Sequence, residues 1–115
     1  MDSIIIKDLE VDAYIGVTAD ERSRTQKLLV TVEMERDLGH AGRTDTDAAT
    51  TPYDVVAEMI RKLIAARPRK LIEAVAYDIA EAILGKRMAA AVTVEVKKFS
   101  IQRSQYVSVI IRREQ

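Results

Sequence analysis

The sequence contains no cysteine, no tryptophan, one phenylalanine and one histidine. Without cysteine there are no disulfides, no thiolate metal ligands and no sulfur nucleophile. A lone histidine, His40, leaves no material for a histidine-based metal cluster and argues against a Ser-His-Asp triad. Excess charge of one sign is also missing, because 18 Lys and Arg residues balance 18 Asp and Glu. The long-range field that draws nucleic acid to a basic surface is therefore absent, and no basic stripe replaces it. No apolar run approaches the roughly 20 residues needed to cross a bilayer, and the opening MDSIIIKDLE has no charged-then-apolar signal pattern. The expectation is a soluble, cytoplasmic protein with neither nucleic-acid nor membrane partners. With so few large aromatic anchors, the core must come from Val, Ile, Leu and Ala, and a subunit that gains stability by association is expected.

What is present is a regular alternation of strand and helix patterns over 115 residues, which make a single domain (1–115). Ile4 to Ile6, Leu9, Val11, Ala13 and Ile15 interleave with charged residues as in a half-buried strand, and Gly16 ends it. After the polar loop VTADERSRT, Leu28, Val30, Val32 and Met34 repeat the pattern, so the first two strands form an antiparallel hairpin. Asp37 to Thr51 reads as a long irregular segment rich in turn residues. Thr51 as N-cap and Pro52 in the first turn then predict a helix with the buried stripe Val56, Met59, Ile60, Leu63 and Ile64. Arg67-Pro68 stops it. A second helix is predicted over Pro68 to Gly85, with Ile72, Val75, Ala76, Ile79 and Ile83 inward and Gly85 as a left-handed C-cap. Val92, Val94 and Val96, then Val107, Val109 and Ile111, form a second hairpin around the loop KFSIQRSQ. The order β-β-α-α-β-β gives an α+β fold: a four-stranded antiparallel sheet with both helices on one face. Two edge strands remain, and strand-to-strand closure of several copies into a ring is expected.

Four polar residues stand out. Glu73 lies in the first turn of the second helix, where the dipole favours a carboxylate. Glu21 is in the loop after the first strand, and Tyr53 follows the helix-starting proline. Lys98 keeps the parity of Val92, Val94 and Val96, so its side chain points to the face of the buried valines. Singly, each reads as a solvated surface group. Together they supply two carboxylates, a phenol and an ammonium, an adequate acid-base set without a metal.

Four segments, IGVTADERSRTQ (15–26), AGRTDTDAATTPYDVV (41–56), LIEAVAYDIAEAIL (71–84) and the strand ending in Lys98, resemble dihydroneopterin aldolases in matching order and spacing. The likeness runs from about Ile4 to Arg113. It implies the tunnelling fold, whose β-β-α-α-β-β subunits close four at a time into a barrel that often stacks into an octamer, with active sites between subunits. It implies a pterin substrate gripped by Glu73, bordered by Leu71 and Ile72, with backbone groups near Ile72 and Thr51 completing its recognition. It gives Tyr53 a place near the reacting side chain, Glu21 a reach toward a neighbour's site, and Lys98 the acid-base work. The implied reaction is retro-aldol cleavage of 7,8-dihydroneopterin in folate synthesis, with no cofactor and no metal. The chain departs from the family pattern at Asp20, at Ala49 and in the loop Phe99-Ser100-Ile101-Gln102-Arg103, and these departures bear on substrate choice. Aligning Lys97 instead of Lys98 restores the loop length but breaks the strand parity, so Lys98 is preferred. The alternative reading is a dihydroneopterin triphosphate epimerase, with Lys97 and Arg103 meeting phosphate charge, or a pterin-binding ring without catalysis.

Overall fold

The computed structural model describes residues 1–115. Four strands pair in chain order into one antiparallel sheet: β1 (Asp2–Tyr14), β2 (Thr25–Arg36), β3 (Ala91–Lys98) and β4 (Val107–Glu114). Between β2 and β3 come a short helix α1 (Gly39–Thr44) and two long ones, α2 (Tyr53–Ala65) and α3 (Ile72–Gly85). The expected architecture is present.

The core lies between the two long helices and one face of the sheet. Val30, Val32 and Met34 from β2 and Val92, Val94 and Val96 from β3 are fully buried against Val56 and Ile60 of α2 and Val75, Ile79 and Ile83 of α3. The parity of β1 changes from even to odd at a β-bulge between Ile6 and Leu9. Asp8 takes the extra residue in a left-handed conformation, φ 54°, and its N–H donates to Thr31 Oγ1 at 2.9 Å. The bulge lets Ile4 and Ile6 share a face with Leu9 and Val11, which an unbroken period of two would forbid. The other face carries no helix, and Ile5 and Ile110 are exposed on it.

Four local expectations are corrected. Thr51 does not cap α2: it is buried, its hydroxyl donates to the Met88 carbonyl at 2.6 Å and accepts from Arg36 at 2.9 Å, and Pro52 occupies the cap position. The second long helix begins at Ile72 rather than Pro68, because Arg69 pairs its backbone with the end of β1. Its N–H donates to Tyr14 O at 3.0 Å and its carbonyl accepts from Gly16 N–H at 3.1 Å. Gly85 is the last helical residue, and the left-handed position falls on Arg87, φ 55°. There Arg87 N–H reaches Leu84 O and Met88 N–H reaches Ile83 O, the paired bonds of a Schellman closure. Finally, the segment from Asp37 to Thr51 is not wholly irregular: it contains α1 and a 3-10 turn at Asp47–Ala49. The Asp37 carboxylate accepts from Gly39 N–H at 2.8 Å and starts α1 without any apolar periodicity to announce it.

Candidate active site

Lys98 closes β3 on the core face, where alternation from Val92, Val94 and Val96 carries it. Its side chain is only 14% exposed, and its ammonium stands 3.6 Å from Glu21 Oε2. Glu21 begins a 3-10 turn after β1. Its Oε1 accepts from both the N–H and the hydroxyl of Thr18, at 3.3 and 3.1 Å. The Thr18 amide bond, then the Thr18 hydroxyl, then Lys98 lower the Glu21 pKa below the ordinary glutamate value against an opposing desolvation cost. The turn sits against Gly16, φ 155°, where any added Cβ would overlap Glu21. Arg22 secures the same turn by donating to the Gly16 and Val17 carbonyls, both at 2.8 Å. Glu21, expected to reach a neighbouring subunit, faces the lysine of its own chain.

Lys97 points to the other face. Its ammonium lies 2.8 Å from Asp8 Oδ1 and 4.7 Å from the centre of the Tyr106 ring, which Phe99 meets edge-on. The Asp8 hydrogen bond raises the Lys97 pKa, and the same bond lowers that of Asp8. Parity therefore separates the two lysines as the sequence indicates.

Glu73 is exposed in the first turn of α3, after exposed Leu71 and buried Ile72. It takes part in none of the chain's ion pairs. The short turn from Gly85 to Ala91 makes α3 and β3 antiparallel neighbours, so the start of α3 lies at the same end of the sheet as Lys98. The Arg69 bridge to Ile15 ties that helix start to the strand end that leads into the Glu21 turn.

Thr51 and Tyr53 lie elsewhere. The Thr51 bond to Met88 and Arg36 fixes them beside the start of β3 and the end of β2. An eight-residue strand spans roughly 25 Å, so they sit about that far from Lys98 within one chain. Tyr53 is 63% exposed and lines an open cleft of about 820 Å³ with Thr50, Thr51 and Asp47. A second groove of about 710 Å³ along α2, between Val55, Met59, Leu63 and Lys86, holds none of the candidate residues. The predicted set is thus divided into two groups at opposite ends: Lys98, Glu21, Glu73, Leu71 and Ile72 at one, Thr51 and Tyr53 at the other. Thr18 and Arg69 escaped sequence reading, although the Thr18-x-x-Glu21 spacing of a capping box was there to be seen.

No group of three or more His, Asp or Glu residues is placed to hold a metal ion. No helix is long and apolar enough to cross a membrane.

Comparison with known proteins converges. The FolB dihydroneopterin aldolase family model matches residues 4–112. A Haemophilus influenzae dihydroneopterin aldolase is 31% identical over 114 residues, covering 98% of this chain and 97% of its own. The Escherichia coli dihydroneopterin aldolase solved with neopterin superposes with a TM-score of 0.93 at 32% identity, covering 98% and 99% of the two chains. A Burkholderia thailendensis dihydroneopterin aldolase bound to guanine shares the fold, with a TM-score of 0.81 at 20% identity over 99% of this chain and 91% of its own.

Proposed function

The chain belongs to the dihydroneopterin aldolase family, and from that premise we propose that it cleaves 7,8-dihydroneopterin at a site completed by two copies of itself. The reaction is a retro-aldol step of folate biosynthesis giving 6-hydroxymethyl-7,8-dihydropterin and glycolaldehyde. Glu73 grips the pterin edge: a carboxylate accepts two parallel hydrogen bonds from a planar amino and ring N–H pair. Leu71 and Ile72 border the ring, and backbone near Ile72 and, from the second copy, Thr51 completes recognition.

A side-chain hydroxyl loses its proton and the adjacent carbon–carbon bond breaks. Glycolaldehyde leaves, and the bonding pair moves into the C=N bond of the dihydropterin. Returning a proton to the remaining carbon gives the hydroxymethyl product. The substrate is its own electron sink, so the step requires neither Schiff base nor metal. Lys98 moves protons directly or through one water, with Glu21 holding its ammonium in place. Tyr53 comes from the second copy, to pass a proton or stack on the ring.

The observation that carries this reading is the division of one constellation between the two ends of a subunit. A neighbour bringing its Tyr53 end to the Lys98 end rebuilds the set. The unpaired edges β1 and β4 and the exposed Ile5 and Ile110 support closure of four copies into a ring, which can stack in pairs into an octamer. Of the two residues that could meet a triphosphate, Lys97 is engaged by Asp8 on the opposite face and only Arg103 remains, which favours the unphosphorylated substrate. Cleavage belongs in the cytoplasm, the location read from composition.

The deciding assay incubates purified protein with 7,8-dihydroneopterin. Release of glycolaldehyde in step with hydroxymethyl-dihydropterin is the expected result. Turnover of the triphosphate alone, or pterin binding without any turnover, overturns the proposal.

A further inference from the structure

We propose that Thr18 is a positioning residue for the reaction, clamping one oxygen of Glu21 so that the other is presented to Lys98. The inference rests on the reading of Lys98 and Glu21 as the pair that moves protons. Its geometry is reciprocal: Thr18 N–H and Oγ1 both donate to Glu21 Oε1, and Glu21 N–H donates back to Thr18 Oγ1 at 3.2 Å. This is the reciprocal bonding of a capping box, made by the residues that lead into the 3-10 turn Glu21–Ser23. With Oε1 occupied by two donors, Oε2 is the oxygen that faces the ammonium.

A flexible glutamate has three side-chain torsions, and an ion pair at an exposed loop must overcome their entropy. Thr18 removes that freedom before substrate arrives. The remaining charged groups near Glu21 do not substitute for it. Lys98 is the one cation β3 presents on this face, since Lys97 is held by Asp8 on the other; Arg22 is spent on the Gly16 and Val17 carbonyls, and Asp20 beside Glu21 repels rather than holds. The end of β1 at Tyr14, Ile15 and Gly16 contributes no charge.

Thr18 is exposed, so its replacement costs little packing. The turn also keeps independent ties, from Arg22 to the two carbonyls and from Ser23 Oγ to the Asp20 carbonyl at 2.6 Å. A valine at this position keeps the shape and deletes the hydroxyl; a serine keeps the hydroxyl. Thr18→Val and Thr18→Ser are therefore compared with the parent in the intact oligomer. Three quantities are read: kcat and KM for 7,8-dihydroneopterin, the acid limb of kcat, and the titration of the Glu21 carboxyl by carbon-13 NMR.

Thr18→Val is expected to lower kcat about tenfold, a modest misplacement of a catalytic group. KM stays near the parent value, the acid limb and the Glu21 titration move upward together, and Thr18→Ser restores both. Unchanged kcat and unchanged Glu21 titration in Thr18→Val overturn the proposal, as does a loss that Thr18→Ser fails to rescue. If the parent protein releases no glycolaldehyde, the assigned reaction fails separately. The Glu21 titration then decides the clamp by itself: an upward shift sustains it and no shift overturns it.

Discussion

Lys97 and Lys98 are consecutive, yet their ammonium groups are held on opposite faces of the sheet: Lys97 lies 2.8 Å from Asp8 and Lys98 lies 3.6 Å from Glu21. Strand geometry enforces the split, because successive side chains alternate across the pleat. Both lysines lie at the end of β3 where α3 begins, but only Lys98 is on the face that α3 covers. Two neighbouring lysines of equal intrinsic basicity thus acquire different partners from one residue of register.

Lys98→Ala is predicted to lower kcat by roughly a hundredfold or more, the usual loss for a general acid-base group, while neopterin affinity is largely kept. Lys97→Ala should leave kcat within a few-fold of the parent. Steady-state kinetics with a separate equilibrium titration checks both, and the reverse pattern would show the register assignment to be wrong.

Glu73→Ala should weaken neopterin binding by at least about thirtyfold, the scale for truncating one partner of a hydrogen-bonded charged pair. Guanine offers the same amino and ring N–H edge and cannot be cleaved, so it serves as an unreactive second probe. Calorimetry on both ligands is the check. Unaltered affinity for each would remove Glu73 from the pocket.

The acid side of the pH profile is predicted from Glu21. The Thr18 amide and hydroxyl, then Lys98, hold its carboxyl below the ordinary glutamate value. A depressed folded-state pKa means that the ion pair's contribution is present above the unfolded value and lost as pH falls through the folded one. The acid limb of kcat should therefore lie below the ordinary glutamate range. A limb inside or above that range contradicts Glu21 as the group that titrates.

Arg69 supports the helix start rather than the chemistry. Its buried guanidinium donates to Asp78 at 2.7 Å, to the carbonyls of Leu63 and Ile64 at the end of α2, and to that of Arg67 just beyond it. Arg69→Met is predicted to cost about 3 kcal/mol in urea unfolding, near the low end for breaking a buried pair. The low end is chosen because Asp78 is partly exposed and keeps Arg67 at 2.9 Å. A variant as stable as the parent would show that these bonds contribute nothing net.

Periodicity made the four strands and two long helices legible, and it also selected the face of Lys98. The failures share a physical origin: side chains and backbone meeting across long sequence distance. Thr51 looked like a cap because nothing local shows that Met88 and Arg36 claim its hydroxyl. Pro68 looked like a helix start because the Ile15 partner that extends residue 69 is more than fifty residues away. Arg87 took the left-handed position that composition assigned to Gly85, since its helix closes two residues later than the glycine suggests. Of the candidate site, the residue types could be named from the chain, whereas their separation into two distant groups required three dimensions.

That separation is tested most directly by subunit complementation between Tyr53→Ala and Glu73→Ala proteins, each expected to be severely impaired alone. Co-refolded in equal amounts, they should recover activity toward about a quarter of the parent level, because random assembly returns an intact Tyr53 beside an intact Glu73 at that share of interfaces. Mixed assemblies that form but recover no activity would contradict a site shared between two copies.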